Sequence, residues 1–133
     1  MTTKLILTLA ALALSITTTR GEELSLTGMW EANFKGAIFL RVDLTDGDSI
    51  TGRLSIGSIA VDYEGNLLLA EPASPDNDTP IRNPLFDGRK LTFEIDDDGE
   101  ITHVEITLIE PGKAEMRFPG LAQKIKPIVL EKK

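Results

Sequence analysis

The chain has 133 residues, with 14 Lys and Arg against 21 Asp and Glu, a net charge of −7 and no cysteine. That length fits a single domain. The missing cysteines exclude disulfide frameworks, thiolate metal sites and a cysteine nucleophile. The acidic balance excludes nucleic acid as a partner, because phosphate binding draws on clustered Lys and Arg.

Residues 1–21 read as a secretory signal peptide. Lys4 gives a short basic start, Leu5 to Ile16 carry no charge, and Thr19-Arg20-Gly21 leads to a small residue suited to cleavage. The apolar stretch is too short to span a bilayer. Residues 22–133 are therefore expected as one mature domain, secreted or periplasmic, monomeric and free of the membrane once the leader is removed.

From Met29 onward the pattern is that of short antiparallel strands. Met29 to Phe34 is the first, and Ile38, Leu40, Val42 and Leu44 then alternate with Phe39, Arg41, Asp43 and Thr45. That period of two marks a half-buried strand. Ile50–Ile56, Ile59-Val61-Tyr63, Leu67-Leu69, Leu91-Phe93-Ile95, Val104-Ile106-Leu108, Ala114-Met116-Phe118 and Lys126–Glu131 follow in the same style. Turn signals separate them, among them Asp46-Gly47, Asp87-Gly88, Asp98-Gly99 and Pro111-Gly112. Glu71 to Pro84 holds four prolines and is expected as a loop, of the kind that often serves as a lid or binding segment. The predicted fold is all-β: a single antiparallel up-and-down barrel of about eight strands, with a sandwich of the same strands as the competing arrangement.

Gly28-Met29-Trp30 resembles the Gly-x-Trp motif of lipocalins and other calycin barrels. The stretch from Gly28 to Lys132 is also similar to small lipocalin-like modules of secreted bacterial proteins. That similarity is carried by Ile38–Leu44, Thr51-Gly52-Arg53-Leu54, Pro80-Ile81, Asp87–Phe93 and Pro127–Lys132. It implies a barrel with a ligand-holding interior. The chain departs from the lipocalin pattern in its last strand, where Lys stands instead of the Arg those barrels pack over the Trp. It departs from the bacterial modules at Phe118-Pro119-Gly120, which replaces their glycine-rich hairpin.

If the barrel closes, Trp30, Leu40, Val42, Leu54, Tyr63, Phe93, Met116 and Phe118 are predicted to point inward as the ligand-binding set. An eight-stranded barrel is just wide enough to be filled by side chains or to hold one small ligand. Both outcomes are open from the sequence. No catalytic set emerges. His103 is the sole histidine and is expected to face solvent, opposite Val104, Ile106 and Leu108. A single His also defeats multi-imidazole zinc sites.

The run Glu94–Glu105 matches a calcium-binding loop at the positions of Asp96, Asp98, Gly99 and Glu105. Its first position is Glu94 instead of Asp, and its flanks alternate like strands. A polar hairpin turn is the expectation, with no metal or cofactor. Three classes of function follow: a binding module for a small, mostly apolar ligand; a structural or protein-interaction barrel with a filled core; and, furthest from the residue pattern, an enzyme such as a hydrolase.

Overall fold

A computed structural model describes residues 24–133. The leader expected at residues 1–21 lies outside the described residues. These contain eleven strands: β1 (Gly28–Phe34), β2 (Ala37–Asp46), β3 (Ile50–Ile56), β4 (Ile59–Val61), β5 (Leu67–Ala70), β6 (Thr79–Pro80), β7 (Arg82–Phe86), β8 (Lys90–Asp97), β9 (Glu100–Glu110), β10 (Lys113–Arg117) and β11 (Ile128–Lys132). The one helical turn is a 3-10 turn at Pro75–Asn77, capped by the Ser74 side chain.

Nine strands form one antiparallel sheet in the order β6-β3-β2-β1-β11-β10-β9-β8-β7, while β4 and β5 make a separate ribbon. The first and last strands of the barrel are paired, Trp30 opposite Lys132 and Glu31 opposite Glu131. The two nominal edges, β6 and β7, are halves of one extended segment separated only by Ile81. Its first half pairs with β3, Leu54 opposite Thr79 and Arg53 opposite Pro80, and the Ile81 N–H donates to the Gly52 carbonyl at 3.0 Å. Its second half pairs with β8, Arg82 opposite Glu94 and Phe86 opposite Leu91. The sheet thus wraps into a nearly closed barrel whose wall has eight staves, one of them changing partner halfway. This is the up-and-down barrel read from the sequence.

Alternation dictates what fills it. Leu40, Val42 and Leu44 of β2, Leu91 and Phe93 of β8, Val104, Ile106 and Leu108 of β9, Ala114 and Met116 of β10, and Leu130 of β11 are all buried together with Trp30. Each large apolar side chain taken from water contributes about 1.5–3 kcal/mol, so this set is the principal source of the fold's stability.

Two segments differ from the sequence expectation. The Glu71–Pro84 stretch is not one loop, because its C-terminal half is the stave Thr79–Phe86. The four prolines favour a loop over a strand in the sequence. Pro84 falls within the register shift between Arg82 and Leu85, where the ladder is interrupted, and Pro80 sits in a two-residue pairing at the end of the sheet. Both are places where the missing N–H leaves little unpaired. Phe39, expected on the outer face, is buried. The β1–β2 register shifts between Ala32 and Asn33, and Phe39 lies in the crevice where residues 65–67 and 126–129 meet the wall.

Candidate functional site

The two ends of the barrel are finished differently. At the end holding the start of β1, residues Leu24–Thr27 cross the opening. Leu26 is 1% exposed and plugs it. The Trp30 Nε1–H donates to the Leu26 carbonyl at 2.9 Å, the Asp46 N–H donates to Thr27 Oγ1 at 2.9 Å, and Lys132 Nζ donates to the Ser25 carbonyl at 2.8 Å. Lys132 Nζ also stands 5.1 Å from the centre of the Trp30 ring. Gly28 makes room for that arrangement: its φ is +142°, and a Cβ there would lie 3.1 Å from the Lys132 Cδ.

The opposite end is open. The β3–β6 ladder ends at Leu54 opposite Thr79, and the β7–β8 ladder ends at Arg82 opposite Glu94. Beyond those pairs no strand among the described residues bridges Ile56 of β3 and Ile95–Asp97 of β8. A cleft of about 480 Å³ occupies the gap, with Leu54, Ile56, Ile95, Val104 and Phe118 as its apolar lining. Its polar lining comes from Asp76, Asn77, Asp78 and Thr79 on one side and Asp97 and Thr102 on the other. The last two belong there by periodicity. Ile95 is opposite Thr102 and Asp97 opposite Glu100, so Asp97 and Thr102 continue the inward-facing rows of β8 and β9 past the point where the core ends.

The segment Ser74–Thr79 is held against the wall by β3. Ser55 Oγ donates to the Ser74 carbonyl at 2.6 Å, Arg53 Nε donates to Asp78 Oδ2 at 2.7 Å, and Arg53 Nη2 donates to the Asp78 carbonyl at 3.2 Å. The guanidinium therefore neutralises Asp78. Among the described residues Asp76 and Asp97 have no such ion-pair partner, and no Lys, Arg or His lines the cleft.

The predicted ligand-binding set divides in three. Leu54 and Phe118 line the cleft. Trp30, Leu40, Val42, Phe93 and Met116 point inward as expected but are locked in the packed lower body of the barrel. Tyr63 requires a correction, since it does not point inward and is fully exposed. It was read as continuing the Ile59-Val61 alternation, but β4 stops at Val61 and Tyr63 lies on the tight turn Asp62–Asn66. There the Asp62 carboxylate accepts the N–H groups of Glu64 and Asn66, each at 2.9 Å. Those bonds, that from the Asn66 N–H foremost, hold the Asp62 carboxyl below its ordinary value of 3.8. Tyr63 borders an outer groove with Val61, Leu68 and Gln123 instead.

The calcium-loop spacing is not assembled as a site. Asp98, with φ +54°, and Gly99, with φ +92°, are the two central residues of a hairpin between Asp97 and Glu100, as a type I′ turn requires. Asp96 is opposite Ile101 and is engaged by Arg82 Nη1 at 2.8 Å and by the Gly99 N–H at 2.7 Å. Glu105 is opposite Thr92, four residues from Asp96 along the strand and hence about 13 Å away, and it pairs with Lys90. Among the described residues no three His, Cys, Asp or Glu side chains converge on a metal position. His103 is on the outer face, its side chain 60% exposed and Nδ1 3.7 Å from Glu94 Oε2. The Thr79 and Thr102 hydroxyls in the cleft have no imidazole or amine beside them to activate them.

Sequence reasoning missed Ile56, Ile95, Thr102 and Val104 as lining residues. All four are in phase with the core. What the alternation lacked was height along the barrel, because it does not tell a core position from a mouth position. Asp76–Thr79 carried a signal, namely the proline-rich segment read as a binding loop. No protein-family model, no curated protein and no solved structure matches the chain.

Proposed function

We propose that this protein is a secreted or periplasmic, non-enzymatic binding module of lipocalin-like construction that takes a small, mostly apolar ligand into the open end of its barrel. The observation that carries the reading is the cleft itself. Leu54, Ile56, Ile95, Val104 and Phe118 give the apolar part of a concavity of about 480 Å³ above the packed core, and the polar residues of its mouth give the rest. Small-molecule sites are typically concave, largely apolar and roughly 300–1,000 Å³. The lipocalin-like part of the reading is supported by Lys132, a last-strand cation stacked over the Trp of Gly28-Met29-Trp30, as the Arg is in those barrels. Secretion rests on Lys4 and the uncharged run Leu5–Ile16.

Native mass spectrometry of the processed protein, purified from cells that express the full chain, tests this together with titration by the neutral probe N-phenyl-1-naphthylamine. The expected result is a one-to-one organic adduct or saturable probe binding. Phe118→Ala should weaken the probe roughly tenfold, equivalent to about 1.4 kcal/mol. A bare mass with no saturable probe binding overturns the proposal.

A second reading, a protein-interaction barrel, is favoured by one observation. Tyr63, Leu68 and Leu69 on the β4–β5 hairpin are all exposed, as is Leu121. Concentration-dependent association that Tyr63→Ser and Leu68→Ser abolish would support it.

A further inference from the structure

We infer that the cleft selects ligands that join an apolar body to a protonated amine, an inference that rests on the binding-module reading above. The cleft is polarised. Its apolar residues Leu54, Ile56, Ile95, Val104 and Phe118 lie on the inward rows of the wall, whereas its polar residues come from the rim segment Asp76–Thr79 and the ends of β8 and β9. A ligand that fills it thus places hydrocarbon below and its head group at the mouth.

The mouth is rich in acceptors. Asp76 and Asp97 each present a carboxylate without an ion-pair partner among the described residues, the Asn77 amide and the Thr79 and Thr102 hydroxyls accept as well, and no cationic side chain lines the cleft. Arg53, which reaches the lining residue Asp78, is on the outer face of β3 with its guanidinium spent on that residue through two contacts. An anionic head group would meet two like charges with no counter-charge, a cost that grows as water is excluded. An ammonium group would supply three donors and one positive charge to the same oxygens.

Calorimetric titration of the processed protein with octylamine, octanol and octanoate at neutral pH tests this, because the three differ in head-group charge at equal chain length. The expected order is octylamine about tenfold tighter than octanol, with octanoate weakest, and the amine's advantage should shrink as salt is raised. The double variant Asp76→Asn/Asp97→Asn should lose the amine preference and keep its octanol affinity. Asp46→Asn/Asp48→Asn removes the same charge from the plugged end of the barrel and should keep the preference. Octanol binding as tightly as octylamine, or equal losses in both double variants, overturns the amine inference and leaves the binding module standing. Failure of all three compounds to bind a protein that still binds N-phenyl-1-naphthylamine overturns the amine inference alone, and failure of that probe and of any organic adduct as well overturns both.

Discussion

The plugged and open ends of the barrel are walled by the same strands, yet the described residues cross only one of them. At the plugged end, residues Leu24–Thr27 deliver an apolar side chain, Leu26, and two carbonyls that accept bonds from Trp30 and Lys132. At the open end the chain goes to the side instead. The β4–β5 hairpin and the Ser74–Thr79 segment stand at the rim, and the uppermost inward residues, Ile56 and Phe118, are left half-buried. The difference teaches that a small barrel of this kind needs a crossing segment to become dry throughout. Where none crosses, the inward rows run out into a cleft.

The sharpest way to break this comparison is to truncate an aromatic residue at each end. Trp30→Ala is expected to cost about 3–5 kcal/mol in urea unfolding, since a 1%-exposed indole, its bond to Leu26 and its contact with Lys132 go together. A loss below about 1 kcal/mol would mean that Trp30 does not anchor the plug. Next in size is Gly28→Ala, at about 1–3 kcal/mol, because it forces a side chain into φ +142° and against Lys132. Phe118→Ala at the open end should cost only about 1 kcal/mol, while weakening the neutral probe as described above.

The smallest effect concerns acid. The native turn holds the Asp62 carboxyl below its ordinary 3.8, so its contribution is complete above that pH and is lost as pH falls through the lowered folded value. Protection of the Glu64 and Asn66 amides, taken relative to the intrinsic exchange rate at the same pH, should therefore fall below about pH 3.8, ahead of that of amides at the plugged end. Asp62→Asn should remove the pH step.

Much of the wall was legible because a half-buried strand writes its two faces into the sequence. Val42, Leu54, Phe93 and Met116 all face inward as their spacing requires. The stave Thr79–Phe86 was illegible because prolines exclude strand only where a ladder needs their N–H, and this segment's pairing is interrupted at the positions that matter. Tyr63 was misplaced because alternation carries no mark of where a strand ends, and Phe39 because a bulge resets the phase. For the site, Leu54 and Phe118 were identified and the acidic mouth was not. The pairing of residues 76–79 with residues 97–102 across an opening is a property of closure, which no local pattern encodes.

The stave that changes partners also sets the order in which this wall can be assembled. β1–β2–β3 and β8–β9–β10 are each joined by short turns and can zip up locally, and β11 joins β10 across the connection 118–127. They meet only along two lines, the β1–β11 pairing and the segment Thr79–Phe86. The first brings together residues a hundred positions apart, a costly loop to close. The second is joined to β8 by the short turn Asp87–Arg89 and reaches β3 across residues 57–78, and it is bonded to both halves. Kinetically, Thr79–Phe86 is a clasp that holds two meanders in register while the distant ends find one another, which makes it the segment whose alteration should slow folding most for the stability it removes.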